Sequence, residues 1–192
     1  MAEIKEIEKF HIFSSVYFSS AVNRKQYMND GRKEIAFIWR SNVGKSSLIN
    51  NLCGQRKLAY VSREPGKTRT INYYAIQSRR TVDEQEQRQE WYLVDMPGYG
   101  FAKTSQENKD TWSTFIDDYI KSSTSLVMVG LLIDLRHPGL PIDMKAYEGL
   151  RELAPSLVVN GTKEDKHQRN ETRENLTKQK NLFPADYPPI QY

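Results

Sequence analysis

The chain has 192 residues, a formal net charge of +4, and 27% charged against 38% hydrophobic residues. These are the proportions of a globular domain long enough to bury a core without cross-links. One cysteine, Cys53, excludes a disulfide framework, and the three histidines, His11, His137 and His167, stand too far apart for a zinc-binding spacing.

The first residues, MAEIKEIEKF, mix charges of both signs and lack the apolar centre of a signal peptide. The longest apolar run, 126–135, is broken by Gly130 and Asp134 and falls short of the ~18 residues a membrane span needs. A cytoplasmic monomer without membrane contact is the expectation. The positive balance is compatible with a polyanionic partner such as RNA, as it is for many proteins that have none.

In chain order, residues 34–38 read as a short buried strand leading at once into a loop and the helix-like run KSSLINNLCG. Residues 70–77 and 90–96 alternate like the arms of a hairpin. The charged stretch between them, 78–89, has no apolar face and reads as a long solvated tip. A helix follows over 104–121: Thr104 and Glu107 form a T-x-x-E capping box, and Trp112, Phe115, Ile116, Tyr119 and Ile120 share one face.

After the apolar run 125–133 comes a helix around 143–153, with Ala146, Tyr147, Leu150 and Leu153 inward. A short strand at 156–160, a polar helix at 170–181 and the start of a further strand in the closing IQY complete the reading. Strands alternating with helices predict an α/β fold of three layers, a mostly parallel sheet with helices on both faces. In such sheets ligands bind at the carboxyl ends of the strands, where each polar motif here falls.

The first motif runs from Trp39 through Arg40, Ser41, Asn42, Val43, Gly44 and Lys45 to Ser46, and its second half matches the end of the phosphate-binding loop G-x-x-x-x-G-K-[ST]. Backbone N–H groups and a helix start surround the phosphates, Lys45 reaches the β/γ oxygens and Ser46 binds Mg²⁺. Alone, G-K-S is also an ordinary helix start. Trp39 departs from the pattern's first glycine. If that position needs a positive φ, the strain is roughly 1–3 kcal/mol, enough to weaken nucleotide binding about five- to hundredfold. Alternatively the strand ends one residue later and Trp39 packs beside it.

The second motif is Asp95-Met96-Pro97-Gly98, in which the aspartate can hold Mg²⁺ through water and the Gly98 N–H can sense the γ-phosphate; by itself it is a turn sequence. Between the two, the loop Pro65-Gly66-Lys67-Thr68-Arg69 offers a threonine to the metal. The third motif, Thr162-Lys163-Glu164-Asp165, matches [NT]-K-x-D, with Asp165 accepting from guanine and the Lys163 stem along the base. Fifty residues separate Lys45 from Asp95 and seventy separate Asp95 from Asp165. The order and spacing of all three motifs, each after an expected strand, point to a guanine-nucleotide fold.

The strings RSNVGKSSLIN, PGKTRTIN, VDMPGYGFAK, IDLRHP and TKEDK closely resemble the EngB/YihA/YsxC family of ribosome-biogenesis GTPases, from about residue 9 onward. The resemblance implies a single GTP-binding domain over 1–192 with slow hydrolysis, acting in assembly of the large ribosomal subunit on its rRNA and proteins, and linked to cell division and septation. It implies nucleotide contacts at 39–46, 66–70 (Thr70 included), 95–98 and 162–165. Ser46 and Thr68 fall on Mg²⁺, and Lys45, Thr68 and Gly98 are the catalytic set.

Asn42 stands where some related GTPases coordinate K⁺; a loop-stabilising amide accounts for it equally well. Relative to the family, Trp39 replaces a glycine, and the last base-contacting loop and final helix are missing after PPIQY. Tyr99 occupies the place where many GTPases put a water-orienting glutamine. A nucleotide-impaired binding module is therefore the alternative function. Arg56, Lys57, Arg63, Lys67 and Arg69 face only Glu64 in charge across the first switch loop, as an RNA contact or a solvated loop.

Overall fold

The computed structural model describes residues 9–40, 43–55, 58, 70–82, 84–99, 106–163 and 169–184, with backbone alone at 106–113 and 169–172. Its centre is β2 (Lys33–Trp39), whose sequence KEIAFIW is apolar after the first turn. It pairs in parallel with β4 (Gln85–Asp95) on one side and β5 (Leu126–Asp134) on the other. Outside β5 lies β6 (Leu157–Thr162), also parallel. Beyond β4, β3 (Ile71–Val82) and then β1 (Lys9–Ala21) pair antiparallel, giving the order β1-β3-β4-β2-β5-β6. The parallel strands are sandwiched between layers, which is why LVMVGLLID and LVVNGT carry apolar residues on both faces.

Successive residues feed two cores. On one face, Leu48 and Ile49 of α1 (Lys45–Leu52) pack on Phe37, Trp39, Tyr74, Leu93 and Leu132. On the other, Ile116, Tyr119 and Ile120 of α2 (Gln106–Ser122) and Tyr147 and Leu150 of α3 (Pro141–Leu153) pack on Ala36, Ile38, Tyr73, Tyr92, Val94 and Leu131. The polar α4 (Arg169–Leu182) joins this second layer through buried Gln179, whose Nε2 donates to the Val159 carbonyl, and through Phe183, which meets Tyr147 edge to face. The expected α/β layering, with helices on both faces, is what the chain adopts. The expected inward positions on α2 and α3 are buried or half-buried; the Trp112 side chain, the Thr104–Glu107 box and the IQY end lie outside the described residues.

Three elements differ from the sequence reading. β1 has no counterpart in it. Residues 78–89 are not a loop tip: β3 and β4 stay paired out to Val82 and Gln85, so the hairpin is a ladder that runs past the reach of β2. The sheet is correspondingly mixed, its antiparallel part being the β1-β3-β4 flank. Most of the outer ladder is exposed, although Ser78 and Val82 are buried, and its charged side chains pair across strands, as in Arg79 with Glu86 at 3.4 Å.

At the amino end of the central strands, Glu34 is buried at the start of β2. Its Oε2 accepts from Tyr119 Oη at 2.6 Å and Ser123 Oγ at 2.7 Å. Oε1 has no partner among the described residues. Burial pushes its pKa up, against the pull of the two hydroxyls. The carboxyl pins the end of α2 to the sheet.

Candidate functional site

All three polar motifs come off the carboxyl ends of the parallel strands. After Trp39 and Arg40 the chain turns, with Val43 N–H donating to the Arg40 carbonyl, and α1 begins at Lys45. Gly44 caps the helix at φ 102°, ψ 17°. That left-handed conformation strains any residue with a Cβ, which explains the glycine before Lys45. Ser46 is half-buried in the first turn, where unpaired helix N–H groups favour an anion.

Asp95 ends β4 and is almost wholly buried. Its Oδ2 lies 2.5 Å from Lys45 Nζ, and Oδ1 has no partner within hydrogen-bond geometry among the described residues. Burial raises its pKa, while the Lys45 charge pulls it back. The backbone after it runs on beside β2: Met96 N–H donates to the Phe37 carbonyl at 3.1 Å and Tyr99 N–H to the Trp39 carbonyl at 2.8 Å.

Trp39 is the last residue of β2 and 93% buried. It is not among the positive-φ residues, which outside glycine are Glu84 and Lys163 among the described positions. Of the two readings left open, the strained positive φ does not occur: the strand continues through Trp39 and the indole packs beside it. Lys45 Nζ sits 4.3 Å from the ring centroid, a cation–π contact. Gly98 passes against the same ring, so close that a Cβ there would stand 2.9 Å from Nε1.

Tyr99 is buried. Its hydroxyl donates to Asp143 Oδ1 of α3 at 2.9 Å, and Arg40 Nε lies 3.3 Å from the same oxygen. Burial, then the Asp143 charge, raises the Tyr99 pKa far above its ordinary range, and burial likewise raises that of Asp143. Through this cluster the phosphate-loop entrance, the segment after Asp95 and α3 share one buried carboxylate.

On the other side, Thr162 ends β6, and its hydroxyl donates to the Val43 carbonyl at 2.6 Å and the Ile133 carbonyl at 3.1 Å. Lys163 follows at φ 65°, and its Nζ lies 3.0 Å from Asp134 Oδ2 at the end of β5. Arg136 closes on the same carboxylate, with Nε 2.9 Å from Oδ1 and Nη2 2.6 Å from Oδ2. Burial alone would raise the Asp134 pKa, but these hydrogen bonds outweigh it and hold the carboxyl well below the usual range.

The structure thus brings together Trp39, Arg40, Val43, Gly44, Lys45, Ser46, Asp95, Met96, Pro97, Gly98, Thr162 and Lys163, with Thr70 half-buried just before β3. Ser41, Asn42, Gly66, Lys67, Thr68, Arg69, Glu164 and Asp165 lie outside the described residues, as do the five cations of the first switch loop. The partners that sequence reasoning missed are Asp143 and Asp134. Asp134 stood inside IDLRHP with no role attached, and no motif links residue 143 to residues 40 and 99. For Mg²⁺, a hard cation that takes oxygen ligands and keeps several waters, the residues present fit: a buried carboxylate oxygen at Asp95 with no partner in hydrogen-bond geometry among the described residues, and a hydroxyl at the helix start, Ser46.

A mixed six-stranded sheet with a strand–loop–helix phosphate motif at its centre defines the α/β fold of P-loop GTPases. The structure is similar to Era in complex with MgGDPNP and nucleotides 1506–1542 of 16S ribosomal RNA, with a TM-score of 0.57 and 22% identity over 84% of this chain and 51% of that one. It is also similar to a variant of Aquifex aeolicus Era bound to GDP.AlF4-, with a TM-score of 0.56, 20% identity, and 82% and 50% coverage. The chain spans about half the length of these Era chains, and the likeness shows the fold. The family described as 50S ribosome-binding GTPase matches residues 34–180. The sequence is 42% identical over 178 residues to the probable GTP-binding protein EngB of Clostridium perfringens, covering 92% of this chain and 85% of that one. It is 40% identical over 166 residues to that of Clostridioides difficile, covering 86% and 76%. The chain belongs to the EngB family of GTPases.

No helix among the described residues is long and apolar enough to cross a membrane.

Proposed function

We propose that the chain binds GTP and GDP with Mg²⁺, hydrolyses GTP slowly, and acts as a nucleotide-dependent switch in assembly of the large ribosomal subunit in the cytoplasm. The observation that carries the nucleotide reading is the bond from Thr162 to the Val43 carbonyl, which joins the base-reading motif to the phosphate loop at one end of the sheet. Lys45 then serves the β/γ-phosphates, Ser46 and Thr68 hold the metal, Asp95 holds it through water, the Gly98 N–H meets the γ-phosphate, and Asp165 reads guanine. Mg²⁺, when bound, neutralises charge on the transferred phosphoryl group. Tyr99, with its hydroxyl on Asp143, orients no water, which supports slow turnover. K⁺ at Asn42 is part of the same proposal.

The ribosomal role draws on the matched family's description as ribosome-binding and on the Era complex with ribosomal RNA. The impaired-module alternative rests on Trp39 and on the missing base-contacting loop; the absence of a positive φ at Trp39 removes the strain part of the first ground.

Titration with labelled GDP, GTP and ATP analogues tests the nucleotide reading: guanine nucleotides bind and adenine nucleotides do not. Asp165→Ala abolishes GDP binding, and Asp165→Asn shifts preference to xanthine nucleotides by exchanging an acceptor for a donor. Equal affinity of the starting protein for ADP and GDP would end the guanine assignment. Binding to large-subunit precursors that does not differ between the GDP and GTP-analogue forms would end the switch.

A further inference from the structure

Trp39 touches two groups that a terminal phosphate also needs. Its ring centroid is 4.3 Å from Lys45 Nζ, and its Nε1 and Cδ1 would lie 2.9 and 3.2 Å from a Cβ on Gly98. Lys45 is the cation that reaches toward the γ-phosphate, and the segment after Asp95 is one that a γ-phosphate orders. The ring is no loose surface group, being packed with Phe37, Val43, Leu48 and Leu132. The indole fills the space beside Gly98, with the Trp39 carbonyl also close to that glycine.

We propose that Trp39 is a specificity-determining residue of the nucleotide site: its indole takes the γ-phosphate subsite, so that a diphosphate binds with the ring in place and a triphosphate binds only when the ring swings away. The inference rests on the nucleotide reading above. Both nucleotides draw Lys45 from Asp95, so that ion pair does not discriminate between them. Displacing the ring is required by the triphosphate alone, and it forfeits the packing beneath it. The lost packing of a buried indole corresponds to a preference for GDP of at least about tenfold. A glycine at residue 39 gives both nucleotides equal room.

The test is titration of the starting protein and of Trp39→Gly with labelled GDP and a non-hydrolysable GTP analogue at one Mg²⁺ concentration. The starting protein favours GDP by at least about tenfold. Trp39→Gly removes most of that preference by tightening the analogue more than GDP. Should the glycine variant fail to fold, a Trp91→Phe/Trp112→Phe chain keeps Trp39 as its single indole. The analogue then shifts the emission of this chain toward that of an exposed indole, and GDP does not. Equal affinity of the starting protein for both nucleotides, an unchanged ratio in Trp39→Gly, or equal emission shifts would overturn the proposal while leaving the nucleotide reading intact. Binding of neither nucleotide to the starting protein would overturn both.

Discussion

Buried carboxylates stand at both ends of the central strands, and the two ends hold them differently. At the carboxyl ends each acid meets a cation: Asp95 meets Lys45, Asp134 meets Lys163 and Arg136, and Asp143 meets Arg40. At the amino end Glu34 meets two hydroxyls, with no cation among the described residues close enough to pair. An acid held by a mobile cation can release it to a ligand's phosphates and take a metal in its place. An acid held by hydroxyls on a helix end has nothing to exchange and serves as an anchor. The same residue chemistry thus gives a responsive end and a fixed end, and the difference lies in what each partner can be traded for.

The largest effect tests the responsive end. Lys45→Ala leaves Asp95 buried without its cation and costs about 3–5 kcal/mol of stability by urea unfolding, with GDP affinity reduced about a hundredfold. Adding Asp95→Asn restores most of the stability and none of the affinity. A double variant as unstable as the single one would break the view that this pair is a ligand-exchangeable clamp.

Asp134→Asn comes next and has a pH signature. The folded pKa of Asp134 lies below its unfolded value near 4. Its contribution to stability is therefore complete above about pH 4 and is lost as pH falls through the folded value. At pH 7 the variant is less stable by about 1–2 kcal/mol, because the half-exposed Arg136 contributes little through solvent. Thermal unfolding between pH 7 and pH 3 should show this gap closing on acidification.

Glu34→Gln sharpens the comparison with the opposite sign and the smallest size. Burial holds the folded pKa of Glu34 above its unfolded value near 4.3, so the starting protein loses stability as pH rises through that interval. The glutamine keeps an acceptor for Tyr119 and Ser123 and lacks the charge. Relative to the starting protein, the variant gains stability with rising pH. A flat difference from pH 4 to pH 8 would show that Glu34 is no anchor of the kind described.

Sequence periodicity was a good guide wherever a core stands behind it. The strand β2 and the inward faces of α2 and α3 follow from runs such as EIAFI and from Ile116, Tyr119, Tyr147 and Leu150. β1 was hidden because its register shifts between Ile12 and Ser14 and again between Tyr17 and Ser19. Each shift puts two successive residues on one face, so KFHIFSSVYFSSA never alternates for long. The outer hairpin was hidden for the opposite reason: it is paired but largely exposed, so charged side chains dominate it. In the site, local motifs were legible because phosphate chemistry dictates them. Asp143 was not, since its distance from Arg40 and Tyr99 is set by where α3 crosses the sheet.

The interruptions in β1 also bear on how the chain behaves in a crowded solution. Among the described residues β1 is an edge strand with Phe10, Phe13, Val16, Tyr17 and Phe18 all exposed, the composition that recruits further strands into aggregates. Its regular ladder comes only in the pieces Lys9–Ile12, Ser14–Tyr17 and Ser19–Ala21, none longer than four residues. A self-templating zipper needs roughly six or seven in unbroken register. The kinks at Phe13 and Phe18 therefore keep an aromatic-rich edge from acting as a seed for its own copies.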